Sequence, residues 1–330
     1  MFYLGIDVAK AKLDCVLLNA ENQKRKRKTV ENSKEGLAAL LKTLQGWGLE
    51  VASLHVVMEP TASYHELAAL TLVEAGCIVS LVNPAHLRRY AQALGVRSKT
   101  DAADSALLAR YGAAQNPVAW QPPSAAARAL KALLTRRDAV AEDLQRERNR
   151  CEKMAQTEVP DSVRQSLGEV MGFLERQLET LQREIAQHID DDPDLRDKRE
   201  LLLSIPGVGD RVAQHMTALL TSHRFKTAEQ LAAYLGLVPV EWQSGSSIKG
   251  RPHMSKAGPA HLRKLLYLPA IVAAQHNPHV RALYLRLLER GKTKMAAIGA
   301  AMRKLAHLCF GVVSSRLPYN PSVTPKNPCA

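Results

Sequence analysis

Aromatic residues make up only 5% of this chain, and its five cysteines (Cys15, Cys77, Cys151, Cys309 and Cys329) are scattered without one Cys-x-x-Cys pair. So few aromatics argue against a platform that binds single strands by stacking their bases. The cysteine spacing excludes a thiolate zinc site and suits a reducing compartment. No apolar run reads as long enough to span a bilayer, and the chain opens directly on a strand pattern, so a cytoplasmic protein with no membrane partner is expected. Acids are also scarce: 32 stand against 45 lysines and arginines, a net charge of +13. The excess is clustered, as in Lys24-Arg25-Lys26-Arg27-Lys28, Arg88-Arg89 and the run from Arg146 to Arg150. Clustered positive charge implies a polyanionic partner, nucleic acid before an anionic membrane surface.

What acids there are fall in a telling pattern. Asp101 and Asp104 open a predicted helix that runs on through Leu107, Leu108 and Ala109. Three residues apart, they share a helix face and can approach a common ligand. Acids in a first helical turn also suit the helix dipole, and Thr100 or Asp101 can cap it, but this accounts for one acid better than for two. Two further acids end predicted strands: Asp7 in Leu4-Gly5-Ile6-Asp7 and Glu59 in Val56-Val57-Met58-Glu59. Four carboxylates from three elements of one domain have the look of a divalent-metal site.

At 330 residues the chain has room for two or three domains. Residues 2–8, 12–19 and 23–30 read as a three-stranded meander whose basic third strand is exposed. A helix capped by Ser33, a strand at 54–59, a helix at 64–75, a strand at 77–82 and a helix opened by Pro84 follow. This order belongs to the ribonuclease-H-like fold. Residues 115–124, rich in Pro and Gln, read as a linker. Beyond it, 125–155 is a long Arg-rich helix, and Pro160 starts a second in which Leu167, Met171, Leu174, Leu178, Leu181 and Ile185 form a heptad seam. An antiparallel hairpin or an oligomerising coiled coil is expected there, with the leucines as packing. The acidic run Asp190-Asp191-Asp192 reads as a solvated helix end.

The next segment, Ile205-Pro206-Gly207-Val208-Gly209 between two apolar helices, has the form of a helix-hairpin-helix turn, in which Gly207 and Gly209 would expose backbone N–H groups to a phosphate. Thr227 caps a further helix. Then comes Ser244-Gly245-Ser246-Ser247-Ile248-Lys249-Gly250-Arg251, with Lys256-Ala257-Gly258 beyond it, a loop whose hydroxyls, glycines and cations suit a phosphate backbone. Residues 261–276 and 294–312 read as largely buried helices. His276 and His279 are separated by Asn277-Pro278, which breaks a helix and argues against a metal pair. Residues 318–328 read as a loose tail.

Taken together, Gly5-Ile6-Asp7-Val8-Ala9-Lys10, the strand ending at Glu59, Asn83-Pro84 and Arg97-x-Lys99-Thr100-Asp101-x-x-Asp104 resemble the N-terminal half of the DEDD transposases, the insertion-sequence recombinases guided by a bridge RNA. The turn at 205–209 and the segments at 244–247 and 256–258 resemble their C-terminal half. The likeness covers nearly the whole chain. Pro60 and Ala62 depart from it where Ala and Gly are expected, and Ser105 stands where Ala is usual. The resemblance implies a ribonuclease-H-like, resolvase-like catalytic domain at 1–123 and oligomerising helices at 124–193. A mainly helical domain carrying the serine loop would follow at 194–316, with a flexible tail at 317–330. It implies that Asp7, Glu59, Asp101 and Asp104 hold Mg²⁺ (or Mn²⁺), and that Ser244 is the nucleophile forming a covalent 5′-phosphoserine link. It further implies donor and target DNA as substrates, a structured noncoding guide RNA as partner, dimers or tetramers as the assembly, and a prokaryotic, nucleoid-associated location. Lys99, Gly207, Gly209, Lys249, Arg251 and Lys256 are the candidate nucleic-acid contacts.

Three other readings compete. A metal-dependent junction nuclease would use the same acids to activate water, leaving Ser244 a loop residue. A sugar-kinase or actin-like ATPase also opens on Gly-Ile-Asp, but the C-terminal half lacks convincing phosphate loops. A non-catalytic nucleic-acid-binding relative would not need all four acids.

Overall fold

The computed structural model describes residues 1–21, 23–96, 101–240, 243–244, 248–249 and 252–322. It divides into two compact units, Met1–Pro122 and Pro123–Ala330.

The first unit is a mixed sheet with helices against it. Its strands are β1 (Phe2–Val8), β2 (Lys12–Asn19), β3 (Arg25–Glu31), β4 (Leu54–Met58) and β5 (Ile78–Leu81), in the order β3-β2-β1-β4-β5. The first three are antiparallel, whereas β4 and β5 run parallel to β1. This is the arrangement expected of a ribonuclease-H-like sheet. Buried on both faces, β4 is apolar at Leu54, Val56, Val57 and Met58, as a parallel strand covered on both sides should be, with His55 buried among them and bonded to Ser80 Oγ at 2.8 Å. At the outer edge, β3 carries Arg25 to Lys28 in solvent, and charge along an unpaired edge discourages further strand pairing. One of these cations, Lys26, lies 5.0 Å from the ring centre of Trp47.

Helix α1 (Lys34–Gly46) is capped by Ser33, whose hydroxyl accepts from Gly36 N, and α2 (Tyr64–Glu74) follows β4. Next, α3 (Pro84–Ala93) is capped by Asn83 and opened by Pro84. Finally α4 (Asp101–Gln115) lies across the sheet on β1, β2 and β4. Part of the linker belongs to this unit: Ser80 Oγ bonds the carbonyls of Pro117 (3.0 Å) and Val118 (2.9 Å), and Trp120 N donates to Val79 O.

The second unit is mostly helical. In it α5 (Ala125–Met154) and α6 (Asp161–Asp191) form an antiparallel pair. Its base is fixed by His188 Nε2 against Ala126 O at 2.8 Å, and Leu130, Leu134, Ile185 and Ile189 are buried there. Asp192 caps α7 (Pro193–Leu203), so the acidic run does local structural work at a helix junction. Then follow α8 (Asp210–Ser222), α9 (Ala228–Tyr234) and four two-residue strands, β6 (Pro239–Val240), β7 (Gln243–Ser244), β8 (Ile248–Lys249) and β9 (His253–Met254). Three helices complete the unit: α10 (Ala260–His276), α11 (Pro278–Glu289) and α12 (Lys294–Ser315).

Two expectations are corrected here. Among the described residues α12 is long and apolar enough to cross a membrane, with a mean hydropathy of 1.4 over its best window. Its apolar residues are used otherwise: Ala301, Leu305, Ala306 and Cys309 are fully buried in the helical core. The start of the tail is not loose either. Tyr319 N donates to Ser204 Oγ (2.8 Å), and its hydroxyl meets Asn277 Oδ1 (3.0 Å) and His279 Nδ1 (2.8 Å). These bonds tie the tail to the α7–α8 and α10–α11 junctions. Cys15, Cys77, Cys151 and Cys309 are free thiols.

Candidate active site

The first unit brings the four predicted acids into one electrostatic neighbourhood. Asp7 lies near the end of β1, facing Asp14 across the antiparallel β1–β2 pair. On its other side Ile6 pairs with Met58, so Glu59, the next residue, leaves the sheet beside Asp7. The third contribution comes from the first turn of α4. That helix approaches β1 so closely that a Cβ on Gly5 would sit 2.0 Å from Ser105 O and 2.4 Å from Ala109 N. Further along, a Cβ on Gly112 would meet Tyr3 Cδ1 and Val57 Cγ2 at 2.8 Å. Two glycines thus allow the helix to lie flush on the strands, with Asp101 and Asp104 at the strand ends. The Ser105 departure is harmless: buried, it bonds back to Asp101 O at 3.0 Å.

The charge is crowded. Burial first, then the carboxylates of Asp104, Asp101, Asp14 and Glu59 in that order, raise Asp7 from an ordinary 3.8 to about 6. Lys12 answers part of this charge. Its Nζ lies 2.7 Å from Asp101 Oδ2 and 2.9 Å from Asp14 Oδ2, and the hydrogen bonds raise the lysine and lower Asp101. Thr29 Oγ1 donates to the other Asp14 oxygen at 2.7 Å.

As donors, four carboxylates suit a hard divalent cation such as Mg²⁺ or Mn²⁺. The displaced proton affinity of Asp7 shows that the site favours added positive charge. Among the described residues, no three carboxylate, imidazole or thiol groups already converge to hold an ion. In this arrangement Lys12 supplies the cation. Neither Lys12 nor Asp14 stands out in the sequence pattern; alternation along β2 together with the β1–β2 register would have found Asp14.

The serine lies in the second unit. Ser244 ends β7, which pairs with β8 in a short hairpin, Ser244 opposite Ile248 and Gln243 opposite Lys249. The side chains of Ser244 and Lys249, and all of Gly245, Ser246, Ser247, Gly250 and Arg251, lie outside the described residues, as do Arg97, Lys99 and Thr100. What is described is the neighbouring framework. Gly236 (φ +69°) and Gly258 (φ +81°) interlock, since a Cβ on Gly258 would fall 1.9 Å from Tyr234 O. The Arg263 guanidinium donates to the carbonyls of Leu235 (3.2 Å), Ala257 (2.9 Å) and Gly258 (3.1 Å). Lys256 is exposed beside this clamp with φ +55°.

At the turn between α7 and α8 the two glycines differ. Gly207 (φ +99°) serves packing, because a Cβ there would meet Ala273 Cβ at 2.7 Å. Gly209 caps α8 with open space where its side chain would be.

Comparison with known proteins places this architecture. Residues 4–160 match the family model for DEDD transposases of the IS110 type, and residues 199–285 match the model described as Transposase IS116/IS110/IS902 family. The pilin gene-inverting protein of Moraxella bovis is 33% identical over 323 residues, covering 96% of this chain and 97% of that protein. Its counterpart in Moraxella lacunata is 32% identical over the same length. The Thermus thermophilus RuvC structure is similar to 36% of this chain over 99% of its own, at 17% identity and a TM-score of 0.27. The class is therefore that of the transposases, enzymes of DNA recombination. Within it, the chain belongs to the IS110/IS116 family of insertion-sequence transposases.

Proposed function

We propose that this transposase cuts and rejoins DNA through Ser244, with Asp7, Glu59, Asp101 and Asp104 holding Mg²⁺ or Mn²⁺. The observation that carries the reading is the convergence of β1, β4 and α4 on Asp7, whose proton affinity rises through burial and then the surrounding carboxylates. A bound divalent cation would supply polarisation of the phosphate and stabilise charge on the attacking and leaving oxygens.

Similarity to a gene-inverting protein over nearly the whole chain supports a conservative reaction. An inversion must rejoin every strand that it cuts. Hydrolysis discards the phosphodiester bond energy, whereas a protein–DNA ester keeps it. In the proposed step the Ser244 hydroxyl oxygen attacks phosphorus, the serine ester forms, and the 3′ oxygen leaves with a proton. A 3′ hydroxyl from another strand then attacks the ester and releases the serine with its proton. A serine hydroxyl needs activation for this at neutral pH, and an acid-and-metal centre provides it. The acids and the serine are carried on different units of the chain.

A structured noncoding RNA would choose the donor and target sequences, and the protein would work as a dimer or tetramer. Support for self-association comes from the distal part of α6, where Val163, Val170 and Phe173 remain 40%, 42% and 53% exposed. The domain division at 1–123, 124–193, 194–316 and 317–330 belongs to the same proposal.

The test combines purified protein, Mg²⁺, the flanking noncoding RNA and labelled donor and target DNA on a denaturing gel. The expected result is an RNA-dependent protein–DNA adduct that Ser244→Ala abolishes. Cleavage without any adduct would replace this reading with that of a hydrolytic nuclease.

A further inference from the structure

Between residues 260 and 316, the segment that holds the last three helices, the chain has ten lysines and arginines and a single acid, Glu289, so most of its net charge of +13 lies in this segment. Among the described residues no cation of α10, α11 or α12 makes an ion pair. By contrast, the arginines of α5 are extensively paired: Arg137 with Asp138, Arg146 with Asp143, Arg148 with Glu175 and Arg150 with Glu147.

The unpaired charges are also gathered together. His279 and Arg286 are seven residues apart on α11 and so lie on one side of it. Lys304, half-buried on α12, which packs along α11, lies close enough to Arg286 for their like charges to interact, and burial with Arg286 lowers its proton affinity. Burial and Lys304 likewise hold the His279 imidazole below its ordinary range. Along α12 the group continues to Arg303, and burial followed by the Arg303 charge pushes the neighbouring His307 imidazole down from its ordinary range. Glu229 of α9 is the acid that senses this end, and it is exposed. The adjoining edge is braced, with Tyr319 bonded to His279 and Asn277 Nδ2 to Pro206 O at 3.4 Å. Like charges held side by side destabilise the free protein and favour a bound polyanion.

We propose that the α11–α12 face centred on Arg286, Lys304 and Arg303 is a binding surface for the phosphodiester backbone of nucleic acid, separate from the acid site and the serine hairpin. The proposal rests on the nucleic-acid reading above. Contacts of this kind hold and orient the strand without reading its bases.

The test measures affinity for a mixed-sequence DNA duplex and for the flanking noncoding RNA across a salt series, using the full chain. The variant combines Arg286→Gln with Lys304→Met, the latter keeping the buried stem. Each lost phosphate contact on duplex DNA lowers the salt slope by about 0.9, so the double variant is expected to lose about 2 in slope and about tenfold or more in affinity. A drop confined to one arm assigns the face to that nucleic acid. A control pair, Arg146→Gln with Arg150→Gln, removes equal charge from α5 and is expected to leave the slope unchanged. Unaltered circular dichroism and melting of the double variant show that it is folded; if it is not, Arg286→Gln alone, on the exposed α11 surface, must lose about 1 in slope. The proposal is overturned if the folded variant keeps the wild-type slope in both arms, or if the control loses as much. A wild type that binds neither nucleic acid, or only anionic vesicles, would instead remove the functional reading beneath it.

Discussion

Replacing Asp7 with Asn is expected to stabilise the metal-free protein while destroying the proposed metal site. Moving a carboxyl from 3.8 to about 6 corresponds to about 3 kcal/mol of ionisation cost, at ~1.4 kcal/mol per tenfold change in proton affinity. Asp7 is only half-buried, so solvent screening reduces this to about 1–2 kcal/mol. The sign follows from proton linkage. Between pH 3.8 and about 6 the folded state retains a proton that the unfolded chain has released, so stability falls as pH rises through that window. Above it the full penalty applies. Asn carries no charge, and Asp7→Asn should therefore raise the melting temperature of the first unit by about 4–8 °C at pH 7.5 in chelator. Near pH 3.5 the two proteins should melt much closer together. Adding Mg²⁺ should raise the wild type alone. Calorimetry at the two pH values, with and without divalent ions, provides the check. An Asn variant that melts at or below the wild type at pH 7.5 without metal, or gains equally at both pH values, would refute the account of Asp7.

Other changes test the surrounding framework. Lys12→Met removes the ammonium from Asp101 and Asp14; Mn²⁺ titration should show tighter binding, and weaker binding would contradict Lys12 as a competing cation. Gly5→Ala forces a Cβ against the α4 backbone, and should cost about 3 kcal/mol or more in denaturant unfolding. Ala62 sits at φ +45° where family resemblance calls for Gly; Ala62→Gly should add about 0.5–1 kcal/mol in the same assay by relieving left-handed strain.

Much of the fold is legible from local chemistry. Ser33, Asn83, Ser124 and Thr227 each cap the helix that follows, as their side-chain oxygens allow. The mostly apolar run of β4, broken only by His55, marks a covered strand. By contrast, α11 is hard to see because Asn277-Pro278 reads as an interruption. It is an interruption and a beginning: Asn277 Oδ1 accepts from His279 N and Val280 N, and Pro278 occupies the first turn. The tail anchor is illegible for another reason, since one tyrosine among polar residues gives no local sign of distant partners. The same division runs through the candidate site. Asp7, Glu59, Asp101 and Asp104 stand at strand ends and a helix start, positions that periodicity can locate. Asp14 and Lys12 owe their importance to cross-strand register and to a partner 89 residues away.

That long separation has a bearing on how the domain matures on the ribosome. The strands bearing Asp7, Asp14 and Lys12 emerge first, while the helix bearing Asp101 and Asp104 is the last element of its unit to be made. Until it docks against Gly5, Asp7 lacks two of its four acidic neighbours, and the nascent sheet escapes much of their repulsion. When the helix arrives, it brings Asp101 to a lysine already held by Asp14. The growing chain therefore meets its most repulsive carboxylates only at the moment when an ammonium stands ready to receive them.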